Sequence, residues 1–318
     1  MEYRYLGSTG VQVSELCLGT MTFGKEADET ASRDIMSHAF DLGINFFDTA
    51  CVYNLGKTEE MVGRWMGAKR QEIILASKVH FPMGETLNRR GSSRRNILFE
   101  VECSLKRLQT DYLDVLYLHH WDEHTDLAQS LNAVNTLVEQ GKVLYCAVSN
   151  FAAWQVMKAI AVAREQHLAP VVAMQPMYNL LKRQVEVELL PLAAHEGLAV
   201  IPYKALAAGM LTGKYLHGQT GRLHEIDMYQ RRYEKEQYID VTKRFITYAS
   251  RRAKTPAALA AAWVMSHPNV TSALIGARSL AQFKETLGCL DLRLSPDERA
   301  EITAISIDPP GATDRESA

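Results

Sequence analysis

Asp48 and Tyr53 close the stretch Ile44-Asn45-Phe46-Phe47-Asp48-Thr49-Ala50-Cys51-Val52-Tyr53. An apolar strand that ends in a carboxylate, with an ionisable phenol just past the next loop, suits an α/β enzyme. On this stretch alone a second reading stands beside it, in which Asp48 caps a turn and Tyr53 packs at a barrel mouth. Two further strand ends separate the readings. Lys78 closes Ile-Leu-Ala-Ser-Lys, and His119 follows Tyr-Leu, with His120 directly after it. Independent structural uses of a carboxylate, a phenol, an ammonium and an imidazole would not converge on neighbouring strand ends.

Together these groups suggest proton transfer to a carbonyl oxygen. A lysine at the end of a buried strand needs an anionic partner, and Asp48 can supply it. An ammonium beside Tyr53 is expected to favour the phenolate and to lower a pKa ordinarily near about 10. Tyr53 then becomes a usable acid near neutral pH. His119 can hydrogen-bond and polarise a carbonyl, and the choice between His119 and His120 stays open at this stage. A phenol donor beside a polarised carbonyl suits reduction of C=O to C–OH. The hydride must come from a cofactor, because no side chain supplies one.

The elements that must position these residues alternate along the chain. Tyr3 to Leu16 reads as a hairpin around Ser8-Thr9-Gly10. Eight short apolar strands follow, at about 15–18, 44–48, 73–77, 114–118, 144–148, 171–174, 198–202 and 271–275. Helices with apolar residues at helical spacing separate them. Thr30 reads as the cap of the first, Asp126 of the fourth, and Thr255 with Pro256 of a late one. Ser295-Pro296-Asp297-Glu298 is a capping box that opens the last helix. Near-continuous apolar strands are what a parallel sheet buried on both faces requires, and eight such units predict a (β/α)₈ TIM barrel. A doubly wound sheet is disfavoured, since Leu18-Gly19-Thr20-Met21 stands where a Gly-x-Gly-x-x-Gly turn would be. The expected organisation is one barrel domain over 1–318, with a hairpin at 1–16 and a mobile tail at 308–318. The polar stretch 218–237 reads either as a surface loop or as a segment that folds over a cofactor.

Composition narrows the function classes. The net charge of −2 and a pI near 6.6 give no electrostatic reason to expect nucleic acid or an anionic membrane. The basic cluster Arg89, Arg90, Arg94 and Arg95 reads as a solvated face. The five cysteines are scattered and never spaced Cys-x-x-Cys, which argues against disulfides and zinc and fits a reducing cytoplasm. The charged N-terminus has no signal-peptide pattern, and the longest apolar run is too short to span a bilayer. A metal-dependent barrel hydrolase is disfavoured, because no His-x-His follows the first strand.

The chain resembles the aldo-keto reductases over nearly its full length. The resemblance is carried by Asp48-Thr49-Ala50-Cys51-Val52-Tyr53, by Ser104-Leu105-Lys106-Arg107-Leu108 running on to Asp114, and by Val148-Ser149-Asn150. Gln175-Pro176-Met177-Tyr178-Asn179, Leu211-Thr212-Gly213-Lys214-Tyr215 and Ile275-Gly276-Ala277-Arg278 follow in order. It implies NADPH-dependent reduction of a small carbonyl compound, with Asp48, Tyr53, Lys78 and His119 as the catalytic four. By the same resemblance, Ser149, Asn150 and Gln175 would hold the carboxamide and Tyr203 would stack on the nicotinamide. Gly19, Thr20, Met21 and Asp48 would lie beside the ring. Gly209, Leu211 and Lys214 would line the pyrophosphate, with Leu206 also in the cofactor set. Gly276, Arg278, Gln282 and Glu285 would hold the adenosine end, where the Arg278 guanidinium suits a 2′-phosphate.

Three positions depart from the family pattern. Lys204 stands in place of the usual serine and is expected either to add a cation near the pyrophosphate, the favoured reading, or to point into solvent. Thr286 replaces an asparagine near the adenine, and Asn54 a glycine after the catalytic tyrosine. The other reading is a regulatory binding protein, since the potassium channel β-subunits resemble this family and bind NADPH while serving a partner. Such subunits tend to lose the histidine that is present here as His119. The substrate pocket is expected to include Phe23, Tyr53, Lys78, Val79, His80, Trp121 and parts of the long loops, a lining that suits aldehydes, ketones or sugar-like carbonyls alike.

Overall fold

The computed structural model describes residues 1–313, with residue 222 described for its backbone only. Two short antiparallel strands, β1 (Tyr3–Tyr5) and β2 (Gln12–Ser14), form the expected hairpin. Eight parallel strands follow: β3 (Leu16–Gly19), β4 (Phe46–Asp48), β5 (Ile74–Val79), β6 (Leu113–Leu118), β7 (Val143–Ser149), β8 (Val171–Gln175), β9 (Ala199–Val200) and β10 (Ala273–Ile275). They hydrogen-bond in the order β10-β3-β4-β5-β6-β7-β8-β9. Backbone bonds from Thr271 N to Val200 O (2.9 Å) and from Leu274 N to Pro202 O (3.0 Å) join the two ends and close a (β/α)₈ barrel. β9 is the shortest strand, and Pro202 just beyond it has no N–H to continue a ladder.

Helices α1 (Glu29–Asp41), α2 (Lys57–Met66), α3 (Arg94–Leu108), α4 (Leu127–Glu139), α5 (Ala153–Glu165) and α6 (Leu189–Glu196) follow successive strands. After β9 come α7 (Arg222–Glu225), α8 (Asp227–Tyr233), α9 (Glu236–Arg251) and α10 (Pro256–Met265). After β10 come α11 (Leu280–Leu287) and α12 (Pro296–Thr303). The cap of α1 is Asp28, not Thr30: its carboxylate accepts from Ala31 N at 2.8 Å, with the extended backbone that an N-cap needs. Asp126, Pro256 and the Ser295–Glu298 box sit where the sequence places them. The stretch 218–237 is largely helical, as α7 and α8, despite its polar composition. The expected tail at 308–318 falls partly outside the described residues. Within them, Asp308 accepts from Arg183 Nη1 at 2.9 Å.

The period of two along each strand sorts the side chains. One set faces the helices: Leu18, Phe47, Leu75, Leu116, Val148 and Met174 join the large core between sheet and helices. The other set fills the barrel. Leu6 and Val13 of the hairpin plug its N-terminal end against Cys17, Phe46, Ala76, Val115, Ala147 and Ala173. The next inward positions toward the C-terminal rim are then fixed by register. They are Asp48, Lys78, Tyr117, Ser149 and Gln175, with His119 two residues past Tyr117. Apolar packing below thus forces a polar layer above.

Candidate active site

The polar layer is built around Lys78. Its side chain is buried, and its ammonium forms an ion pair with Asp48 Oδ1 on the neighbouring strand. It also donates to Thr49 O at 2.8 Å and to Tyr53 Oη at 3.2 Å. The other carboxylate oxygen, Asp48 Oδ2, accepts from Gln175 Nε2 at 2.8 Å, across the barrel. Burial disfavours the ammonium, but Asp48 and Tyr53 more than offset this, and the Lys78 pKa stands above the ordinary lysine value.

Tyr53 reaches Lys78 from the 3₁₀ turn Tyr53–Gly56. Asn54 and Leu55 lie in the left-handed region, φ 47° and 51°, where non-glycine residues are strained. The Asn54 amide holds this bend by donating to Gly24 O at 2.6 Å, so the residue at the family's glycine position ties the turn to the loop after β3. The Tyr53 phenol corrects the sequence expectation. Burial pushes its pKa up, and the downward pull of Lys78 does not overcome this, because Asp48 beside the same ammonium pushes up as well. The phenol is therefore held protonated at neutral pH.

His119 continues β6 and anchors to β5 through its N–H to Val79 O at 3.0 Å. Burial, then the Lys78 charge and the neighbouring imidazoles, hold its pKa well below the ordinary histidine value, so the ring is neutral. Its Nδ1 is buried without a hydrogen-bond partner among the described residues. The ring meets Tyr53 edge-on, with centroids 6.2 Å apart. The two histidines are placed differently: His119 is buried beside Lys78 and Tyr53, whereas the ring of His120 is exposed and its Nδ1 contacts Trp121 O.

Ser149, Asn150, Gln175 and Tyr203 form a linked set on the far wall. Ser149 Oγ donates to Gln175 O (2.9 Å), Asn150 Nδ2 to His119 O (2.9 Å), and Tyr203 Oη to Asn150 Oδ1 (2.6 Å). Asn150 has φ 58°, a conformation that asparagine tolerates better than most residues.

These groups open onto a cavity of about 960 Å³, large enough for a dinucleotide and a small partner. Gly19, Thr20, Met21, Asp48, Ser149, Asn150, Gln175 and Tyr203 line one part. Lys204, Leu206, Gly209 and Lys214 continue the wall, and Gly276, Arg278, Gln282, Glu285 and Thr286 line the remainder. Tyr53 and His119 lie on the wall, with Lys78 just beneath it. Leu211 is buried in the core and does not reach the cavity. Lys204 has φ 67° and donates to Tyr229 Oη at 2.6 Å, so its ammonium lies against α8. Arg278 pairs with Glu26 at 3.7 Å. Thr286 Oγ1 donates to Gln282 O at 3.1 Å.

The substrate wall differs from the sequence expectation. Phe23 is sealed in the core, and Trp121 packs on Phe151 and Trp154. Val52, Phe81 and His120 line the cavity instead, with Met228, Tyr229 and Arg232 from α8. No motif marked the α8 residues, because their segment reads as polar loop. Among the described residues, no cluster of three His, Cys, Asp or Glu side chains is arranged to hold a metal.

The profile of the Aldo/keto reductase family matches residues 15–307. An uncharacterized oxidoreductase of Bacillus subtilis, YrpG, is 37% identical over 327 residues, covering 98% of each chain. Norsolorinic acid reductase B of Dothistroma septosporum is 34% identical, over 96% of this chain and 81% of that protein. A probable voltage-gated potassium channel subunit beta of Arabidopsis thaliana is 34% identical over 92% of each. With a barrel closed around this layer and a family match across nearly all of its length, the chain belongs to the aldo/keto reductase family, and it is an oxidoreductase.

Proposed function

We propose that this protein reduces the carbonyl group of a small aldehyde or ketone, with NADPH as the cofactor and Tyr53 as the proton donor. The observation that carries the reading is the contact of Tyr53 Oη with the Lys78 ammonium at 3.2 Å, on the wall of a cavity that also holds His119. The cavity suits the cofactor in its donor set. Lys214 and Arg278 offer cations to phosphates, and Tyr203 offers a flat ring. Asn150, Gln175 and Ser149 offer amide and hydroxyl groups.

When bound, NADPH supplies the hydride. The protein's own groups handle the oxygen. Tyr53 and the neutral His119 offer hydrogen bonds to the carbonyl, which draws charge onto its oxygen. The Tyr53 proton passes to that oxygen as negative charge develops, and the Lys78 ammonium stabilises the phenolate left behind. Asp48 and Gln175 hold Lys78 in place through the hydrogen bonds described above. In the reverse direction the same phenolate accepts the proton of an alcohol.

A second reading rests on the relatedness to a channel β-subunit, in which the cofactor is bound and a partner protein is served. The intact set of Asp48, Tyr53, Lys78 and His119 favours turnover. The test is to mix the protein with NADPH and a panel of aldehydes and ketones. Consumption of NADPH matched mole for mole by alcohol supports reduction. Tight NADPH binding with no consumption across the panel would support the second reading instead.

A further inference from the structure

Resting on that reading, we infer that Arg232 anchors an anionic substrate: a carbonyl compound carrying a carboxylate at a distance from the reacting carbon. Arg232 lies on α8 and lines the same cavity as Tyr53 and His119. Met228 and Tyr229, one turn earlier on the helix, line it too, so this face of α8 forms part of the wall. Phe81 and His120 line the cavity as well, and Phe81 meets the His119 ring edge-on at 4.8 Å. The cavity that Tyr53 lines therefore carries both aromatic rings and a helix face with a guanidinium.

The charges along the cavity make Arg232 the surplus cation. Its wall carries Lys204, Lys214, Arg232 and Arg278 against Asp48 and Glu285, and Asp48 is already matched by Lys78. In the proposed reading Lys214 and Arg278 answer the phosphates of the cofactor. The Lys204 ammonium bonds to Tyr229 Oη. Arg232 makes no ion pair with any described residue, and its guanidinium lies 6.0 Å from the Tyr229 ring. Arg278, the other guanidinium of the wall, has Glu26. The Arg232 charge also reaches the Tyr203 part of the cavity wall. The Tyr203 phenol, which burial pushes up to about 12, is drawn back by the Arg232 charge, and that phenol bonds to Asn150. A guanidinium recognises a carboxylate through paired N–H donors, a fixed geometry that a neutral substrate cannot use.

The test compares 4-carboxybenzaldehyde with its neutral methyl ester in the full-length protein with NADPH. The wild type is expected to show the higher kcat/KM for the carboxylate. Arg232→Gln should lower the carboxylate-to-ester ratio about tenfold or more, the usual worth of one charged hydrogen-bonded contact. Arg232→Lys should restore part of it. NADP⁺ affinity, measured by calorimetry, should be retained in both variants. A second arm needs no turnover: 4-(hydroxymethyl)benzoate should bind the NADP⁺-loaded wild type more tightly than 4-methylbenzyl alcohol, and Arg232→Gln should erase that preference. An unchanged ratio and an unchanged preference would overturn the inference. So would an equal loss of NADP⁺ affinity, which would assign Arg232 to the cofactor phosphates. If the wild type bound NADP⁺ but reduced neither aldehyde, the proposed function would fail, and the calorimetric arm would still decide the role of Arg232.

Discussion

Two buried ion pairs meet β5 at adjacent residues, Lys78 and Ser77, and do different work. Lys78 points into the barrel and pairs with Asp48. Ser77 points the other way and donates to Glu59 Oε1 at 2.6 Å, while Glu59 Oε2 accepts from Arg107 Nε at 2.7 Å. Glu59 is fully buried between α2, α3 and the sheet, with Glu100 also close to Arg107 at 3.9 Å. Both clusters place charge where desolvation is costly, and both offset that cost by pairing. The outer cluster is closed: its groups fasten two helices to a strand. The inner one is open on one side, where a phenol passes from the ammonium to a cavity. Buried charge alone does not mark a site; a buried charge that reaches a concave wall through a titratable group does.

Substitutions that remove each cation should separate the two roles. Lys78→Met is expected to lower kcat/KM for carbonyl reduction by about 10³, the range of a lost acid–base contribution, per folded molecule. A loss no larger than that of Arg107→Met would erase the distinction. Arg107→Met leaves Glu59 buried without its cation, and should cost about 3–5 kcal/mol in denaturant unfolding. Its turnover per folded molecule should match the wild type, and a drop there would place the outer cluster in the mechanism. The smallest effect sharpens the inner cluster. Burial raises the Tyr53 pKa above its ordinary value, so the acid stays loaded below that pKa and is lost only as pH rises through it. The rate of reduction should be flat from about pH 6 to about pH 9, given the ordinary tyrosine value near 10. A fall across that window would show that the ammonium has lowered the phenol after all.

The inner layer was legible because strand alternation and strand ends are written in the sequence. Once Phe46, Ala76, Val115 and Ala173 face inward, Asp48, Lys78, Tyr117 and Gln175 follow by parity. The hairpin, the eight strands and the caps at Asp126 and Ser295 were readable for the same local reasons. The sign of the Tyr53 shift was not, because it depends on how deeply the phenol is buried and on Asp48 opposing the ammonium. The substrate wall was legible only in part, as a contribution from the long loops without named residues. Phe23 and Trp121 are drawn into packing by distant partners, while α8 hides the wall residues Met228, Tyr229 and Arg232 in a stretch whose composition reads as loop.

The central claim is that the Tyr53 hydroxyl delivers the proton, and Tyr53→Phe tests it most directly, since it removes one oxygen and keeps the ring. With NADPH bound and a saturating aldehyde, single-turnover loss of the 340 nm absorbance, near the usual maximum of the reduced nicotinamide, reports the chemical step. The account predicts a rate lower by about 10³ or more with NADPH affinity retained. A Tyr53→Phe protein that consumed NADPH at the wild-type rate would contradict it.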